Sequence, residues 1–298
     1  MKAQGNRGST NRVAGAAAVL FAGTMAALIA LPTTVFASTA PGLGTAKAYA
    51  VLAGTPSITN TGPSVISGSV GISPAASVIG LGGLPKGTVT NGTIQAGTAA
   101  AGIAKGDLTT AYLAAKSSPC NFNETGVNLG GKTLTPGTYC QTTAPTLTGI
   151  LTLSGNGVFI FQAGSTLVTA PAAVVRLTNG AQPCNVFWQV SSSATLNTTT
   201  TFVGTIMALT DVHVRTGASI AGRALARNGT VTLDTNRITA PTGCNATTVN
   251  GPGVPIPSTG AASGSMPAGS VLVMIGSGLV VLTGGATVNR RRRARARR

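Results

Sequence analysis

The sequence predicts an all-β solenoid, with three short strands per turn and one long helix packed alongside. Three observations carry this expectation. The chain of 298 residues has only 8% charged residues against 43% hydrophobic ones, where ordinary soluble domains carry about 25% charge. Its 41 Gly and 16 Pro punctuate short runs rich in Val, Thr and Ala, the composition of strands joined by tight turns. Similar strand-like segments then recur at a near-constant interval, the mark of stacked coils.

The repeat is clearest between residues 158 and 239. The segments "STLVT" (165–169), "ATLNT" (194–198), "VHVRT" (212–216) and "VTLDT" (231–235) align without gaps. Their central residues are Leu167, Leu196, Val214 and Leu233; the last two intervals are 18 and 19 residues, and the first is longer by a loop containing Cys184. A second set, "VFIFQ", "VFWQV", "TIMAL" and "RALAR", begins at 158, 186, 205 and 223. Phe202, Ile220 and Ile238 belong to a third set. Alternation within each strand turns one face inward, so Val231 and Leu233 are expected in a continuous apolar core while Thr232 faces out. Trp188, within "VFWQV", is expected inside as well.

One stretch breaks the pattern. In residues 95–117, Ala101, Ala104, Leu108, Ala111 and Ala115 are spaced by three and four, a narrow apolar stripe on a helix. Gly102 and Gly106 weaken an isolated helix by about 1 kcal/mol each but permit close approach to another backbone. The helix is expected to lie along one solenoid face.

Both ends read as addresses. Residues 1–37 combine Lys2, Arg7 and Arg12, an apolar run and the small-residue site "VFA", the order of a secretory signal peptide cut after Ala37. Residues 38–245 form the β-domain and 246–268 a Gly/Pro/Ser linker. Residues 269–289 form an apolar segment long enough at 1.5 Å per residue to cross about 30 Å of hydrocarbon, and 290–298 a tail with seven Arg expected on the cytoplasmic side. "IPSTG" (Ile256, Pro257, Ser258, Thr259, Gly260), placed before that segment and tail, resembles the cell-wall sorting signal of sortases. The resemblance implies cleavage between Thr259 and Gly260 and transfer of the Thr259 carboxyl to peptidoglycan, on the surface of a Gram-positive bacterium. Ile256 departs from the usual Leu. An uncut membrane anchor is the alternative. The net charge of +16 is concentrated in these ends, so it does not argue for nucleic-acid binding.

A secreted chain with four cysteines permits disulfides. Of the three possible pairings, Cys120–Cys140 with Cys184–Cys244 is favoured, the first stapling a long excursion and the second tying the domain end to an interior turn. No close Cys pair accompanies the single histidine, His213, so no metal site is expected. Asp107, Glu124, Asp211 and Asp234 are the only acids and are far apart in sequence. General acid–base chemistry needs placed carboxylates or His, so neither an enzyme nor a cofactor is expected.

Long stretches carry a family resemblance. "LGTAKAYAVLAG" (43–54), "VGISP" (70–74), "LTPGTYC" (134–140), "VFIFQAGSTL" (158–167), "NVFWQVSSSATL" (185–196) and "GRALARNGTVTLDTNRIT" (222–239) resemble the bacterial and fungal ice-binding protein family. The resemblance implies an irregular, discontinuous right-handed triangular β-helix, with an early coil stacked near the C-terminal end, as a monomeric domain. It also implies adsorption to ice through the flat face that carries "VTLDT". Carried over residue by residue, the site is Thr59, Thr146, Thr166, Thr195, His213 and Thr232. Thr61, Val168, Asn197, Arg215 and Asp234 form a neighbouring rank. His213, Arg215 and Asp234 depart from a small uncharged surface.

Thr suits such a surface because a stiff β-branched stem presents one methyl and one hydroxyl, repeated about every 4.8 Å across stacked strands. Two other classes compete with this reading. A β-helical polysaccharide lyase would need clustered acids for calcium. A wall-anchored adhesin binding a polysaccharide or a cell surface would expose aromatic rings, and aromatics are only 4% of the chain.

Overall fold

The computed structural model describes residues 38–243. All strand pairings are parallel, and each coil passes through three strand ladders. The first ladder, the open face, has seven strands: Thr146–Leu147, Leu167–Thr169, Ala194–Leu196, Val212–Val214, Val231–Asp234, Ser57–Thr61 and Ser77–Ile79. The second, under the helix, contains Gly137–Gln141, Phe159–Ala163, Val186–Val190 and Tyr49–Ala53. The third contains Ile150–Ser154, Val174–Thr178, Arg237–Thr239 and Val65–Ser67.

Thr201–Ala208 and Ser219–Ala226 run from the third ladder into the second without a break. Gly204 and Gly222 stack at that corner, and a Cβ on Gly222 would stand 1.8 Å from the Gly204 carbonyl oxygen. The Gly222 backbone can approach Gly204 this closely only because it lacks a side chain, and a Cβ on Gly204 would in turn stand 2.7 Å from the Val186 carbonyl oxygen.

The expected discontinuity is present. Val51 pairs with Ala224, Thr59 with Thr232 and Ile66 with Ile238, so the first coils stack on the last. The chain then returns to the far end through the helix Ala99–Ser117, whose 19 residues span about 28 Å at 1.5 Å each. Six strand spacings in the open face cover nearly the same distance, about 29 Å. The length of the helix therefore matches the height it must climb.

The helical stripe packs as its spacing predicts. Ala101 is buried, and Ala104, Leu108, Ala111 and Ala115 are buried, together with Tyr112, against Leu52, Ile160, Phe187, Met207 and Leu225. The Thr98 side chain accepts from Ala101 N at the helix start, and Gln162 Nε2 donates to Ala115 O and Ser118 O at its end, satisfying backbone groups that a helix leaves unpaired. Inside the coils, Tyr139, Phe161, Trp188 and Phe202 form a column of rings, with 3.9 Å between the Phe161 and Trp188 centroids. Trp188 also donates to Val203 O at 3.0 Å, which pairs its one polar atom.

Cys120 and Cys140 are bonded, as expected. Cys244, expected to pair with Cys184, lies outside the described residues, as do the signal peptide, the sorting motif and the apolar segment 269–289. Among the described residues no helix is long and apolar enough to cross a membrane.

Two alignments made from sequence shift in the structure. The second ladder pairs Phe159 with Val186 and Phe187 with Thr205, one residue away from the expected match of 158, 186 and 205. The expected match of Leu167 with Leu196 is off by two, since Leu167 pairs with Ala194. Leu196–Val214–Leu233 and Phe202–Ile220–Ile238 stack as expected.

Lys105 marks the seam between helix and coils. Its Nζ donates to Ala226 O at 2.6 Å and to Arg227 O, and burial, with repulsion from Arg227 second, lowers its pKa from 10.5 to about 8. Between those values the unfolded chain holds a proton that the folded chain has released, so stability rises with pH. The melting temperature should therefore climb between about pH 8 and about pH 10.5, and Lys105→Met should remove the climb, as read by circular dichroism.

Candidate functional site

The open face leaves a regular outward row of small side chains uncovered. Its pairings run Thr146–Val168–Thr195–His213–Thr232–Thr59–Ile79. Thr146, Val168 and Ile79 are exposed, the last two at 38% and 57%, and the four residues between them are half-buried. Inward neighbours on the same strands, including Leu147, Leu167, Leu196, Val214 and Leu233, are buried. The row is thus fixed from below by the core, and its side chains repeat at the strand spacing of about 4.8 Å. Residues that lie far apart in sequence, Thr59 and Thr232, become adjacent through the discontinuous stacking.

The structure brings together Thr59, Thr146, Thr195, His213 and Thr232 and moves one expected member out. Thr166 does not align with Thr195; Val168 does. The cause is the two-residue shift in that coil, which keeps Thr166 on the same side of the sheet but places it one rank earlier. Val168 accordingly belongs to the main row and not to the neighbouring rank. In that rank Thr61 pairs with Asp234, as expected. Asn197 instead donates from Nδ2 to Thr169 O at 2.7 Å, so its amide serves the corner of the coil.

That corner was missed from sequence. Where the chain leaves the open face, Gly149, Ala172, Thr199, Gly217, Thr235 and Gly62 all have positive φ. Backbone bonds join successive turns there: Ala172 N to Thr198 O, Thr199 N to Thr216 O, Gly217 N to Asp234 O and Thr235 N to Thr61 O. Thr61, Thr148, Thr198, Thr199, Thr216 and Thr235 are exposed along this edge. A β-branched residue in the left-handed region is uncommon and costs about 1–3 kcal/mol, so Thr199 and Thr235 are held against a local preference. The recurring "TG" at 61, 148 and 216 was the signal that could have found the edge.

Charge is confined to the margins of the face. Asp211 Oδ1 accepts from Thr230 N at 2.8 Å. Asp234 accepts from the hydroxyls of Thr216 and Thr235. No group of three His, Cys, Asp or Glu among the described residues is placed to hold a metal ion.

The other two faces are less open or less uniform. The helix and the segment Gly44–Ala48 cover the second ladder, where Arg223 is buried and donates to Lys47 O. The third ladder presents Arg176 and Arg237, and Pro183 and Pro241 form a pocket with its Ala221 and Thr239.

The fold and the row define the class: a parallel β-solenoid with a helix along one face and a ladder of small side chains along another. The chain belongs to the ice-binding-like family, whose model matches residues 51–239. It is 46% identical over 201 residues to the ice-binding protein of Nostoc sp. (strain HG1), covering 66% of this chain and 72% of that one. To the ice-binding protein of Flavobacterium frigoris (strain PS1) it is 36% identical over 211 residues, covering 67% and 76%. Among solved structures, an ice binding protein from an Antarctic biological consortium matches with a TM-score of 0.65 and 42% identity, covering 70% of this chain and 95% of that one.

Proposed function

We propose that this chain adsorbs to ice through its open face. Thr59, Thr146, Thr195 and Thr232 supply methyl and hydroxyl groups, Val168 and Ile79 supply further apolar contact, and Thr61 extends the surface toward the corner. The observation that carries the reading is the in-register outward row, free of the helix and supported by a buried core, in a chain whose relatives are named ice-binding proteins.

Physically, the row orders water before contact. Methyl groups restrict the first water layer, and hydroxyls at a fixed spacing pin parts of it, so the layer joins a lattice of comparable repeat. A rigid row costs little ordering entropy on adsorption. Adsorbed molecules force ice to grow as curved fronts between them, which lowers the local freezing point and slows recrystallisation.

The ends of the chain support a second element of the proposal, attachment to the cell surface. The signal peptide within 1–37 exports the protein, and Ile256–Gly260 directs a sortase to join Thr259 to peptidoglycan, with 269–289 holding the precursor in the membrane meanwhile. Such a protein would tether a cell to ice. The alternative grip, on a polysaccharide, finds little support in the described residues, because Trp188 is only 1% exposed inside the coil.

Solubilised full-length protein should shape a growing ice crystal into facets, and crystals that grow as smooth discs at saturating protein would refute adsorption. Cells should stick to an ice surface and lose this when residues 254–298 are deleted; adhesion that survives the deletion would refute the tether.

A further inference from the structure

His213 stands in the centre of the open row, between Thr195 and Thr232. Its Nδ1 lies 2.9 Å from Thr232 Oγ1, so the two side chains are joined along the row. With the ring proton on Nε2, Nδ1 accepts and the Thr232 hydroxyl hydrogen points sideways into the ring. With the proton on Nδ1, the ring donates and one lone pair of Thr232 is taken. In both forms a hydroxyl that would otherwise hold water above the face has one direction committed to its neighbour. The imidazole is also larger than the Thr195 and Thr232 side chains on either side of it.

We propose that His213 sets the ice affinity of the open face, lowering it by engaging Thr232 and by standing above the smaller side chains beside it. The inference rests on the open face being the ice-binding surface.

The charges around the ring come from two strand segments. Asp211 and Arg215 flank His213 on its own run, and Asp234 lies on the adjoining strand Val231–Asp234. Ala194–Leu196, on the other side, brings none. Asp211 is engaged by Thr230 N, and Asp234 by Thr216 and Thr235. All three charges persist when His213 alone is replaced, so a comparison with that variant isolates the ring.

The test is thermal hysteresis of solubilised full-length protein at one concentration and one pH. His213→Thr should be about twofold more active than the wild type. His213→Val frees Thr232 without adding a hydroxyl, and should also exceed the wild type. Thr195→Tyr is measured in parallel. If it loses activity while both His213 variants match the wild type, the role of His213 is overturned and the open face stands. If Thr195→Tyr remains fully active, the face assignment fails and the inference falls with it.

Discussion

Leu196→Asp is expected to abolish the cooperative melt of the domain, or to lower its midpoint drastically. Leu196 is fully buried in the open-face ladder, stacked on Val214. Removing a buried Leu side chain alone costs about 2–5 kcal/mol, and a carboxylate placed there finds no partner among the apolar residues of the coil. Such a charge must either stay ionised in a low-dielectric core or take up a proton at a large cost. Whole-domain stabilities are about 5–15 kcal/mol, so the two penalties together consume most of that margin. The helix supplies the control, because Leu113 is 52% exposed. Leu113→Asp should change the unfolding free energy from urea denaturation by no more than a surface change does, about 0.5 kcal/mol. Equal, small shifts for both variants would contradict the stacked core.

How much of this was legible in sequence depends on which side chains could report register. The columns Leu196–Val214–Leu233 and Phe202–Ile220–Ile238 were readable, because each strand alternates a buried apolar residue with an outward polar or small one, and the coils between them are nearly equal in length. Leu167 was misplaced by two because a shift of two keeps every side chain on its own face, so alternation cannot detect it. A shift of one normally reverses the faces, yet it passed unnoticed in "VFIFQ". There the outward residue Ile160 is as buried as the inward Phe159 and Phe161, since the helix covers that ladder. Where both faces are apolar, the pattern carries no register.

The stacking of the first coils on the last left no local trace either. Val51 and Ala224 pair across most of the domain, and only the family resemblance implied it. The candidate site inherited both effects. Thr195, Thr232 and Thr59 were placed correctly, Thr166 was not, and the corner of left-handed residues was overlooked because its signal lies in turns and not in strands.

Thr195→Tyr is expected to remove most of the thermal hysteresis while leaving the fold intact. Thr195 faces outward between Val168 and His213 and is half-buried by those neighbours. A phenol at this point must rise above a row whose members stand about 4.8 Å apart. Water layered over the row would then meet a protrusion, and ice could not touch the residues on either side together. Stability should change little, because Tyr is a favourable strand residue and the new ring extends into solvent. Thr201→Tyr provides the matched comparison: Thr201 is exposed, and its strand pairs there with Val174 and Ser219 in the third ladder. Loss in the first variant, with normal activity in the second and equal melting curves for both, would place adsorption on the open face. The reverse pattern would move it to the third ladder, where Arg176 and Arg237 would have to be accommodated against ice.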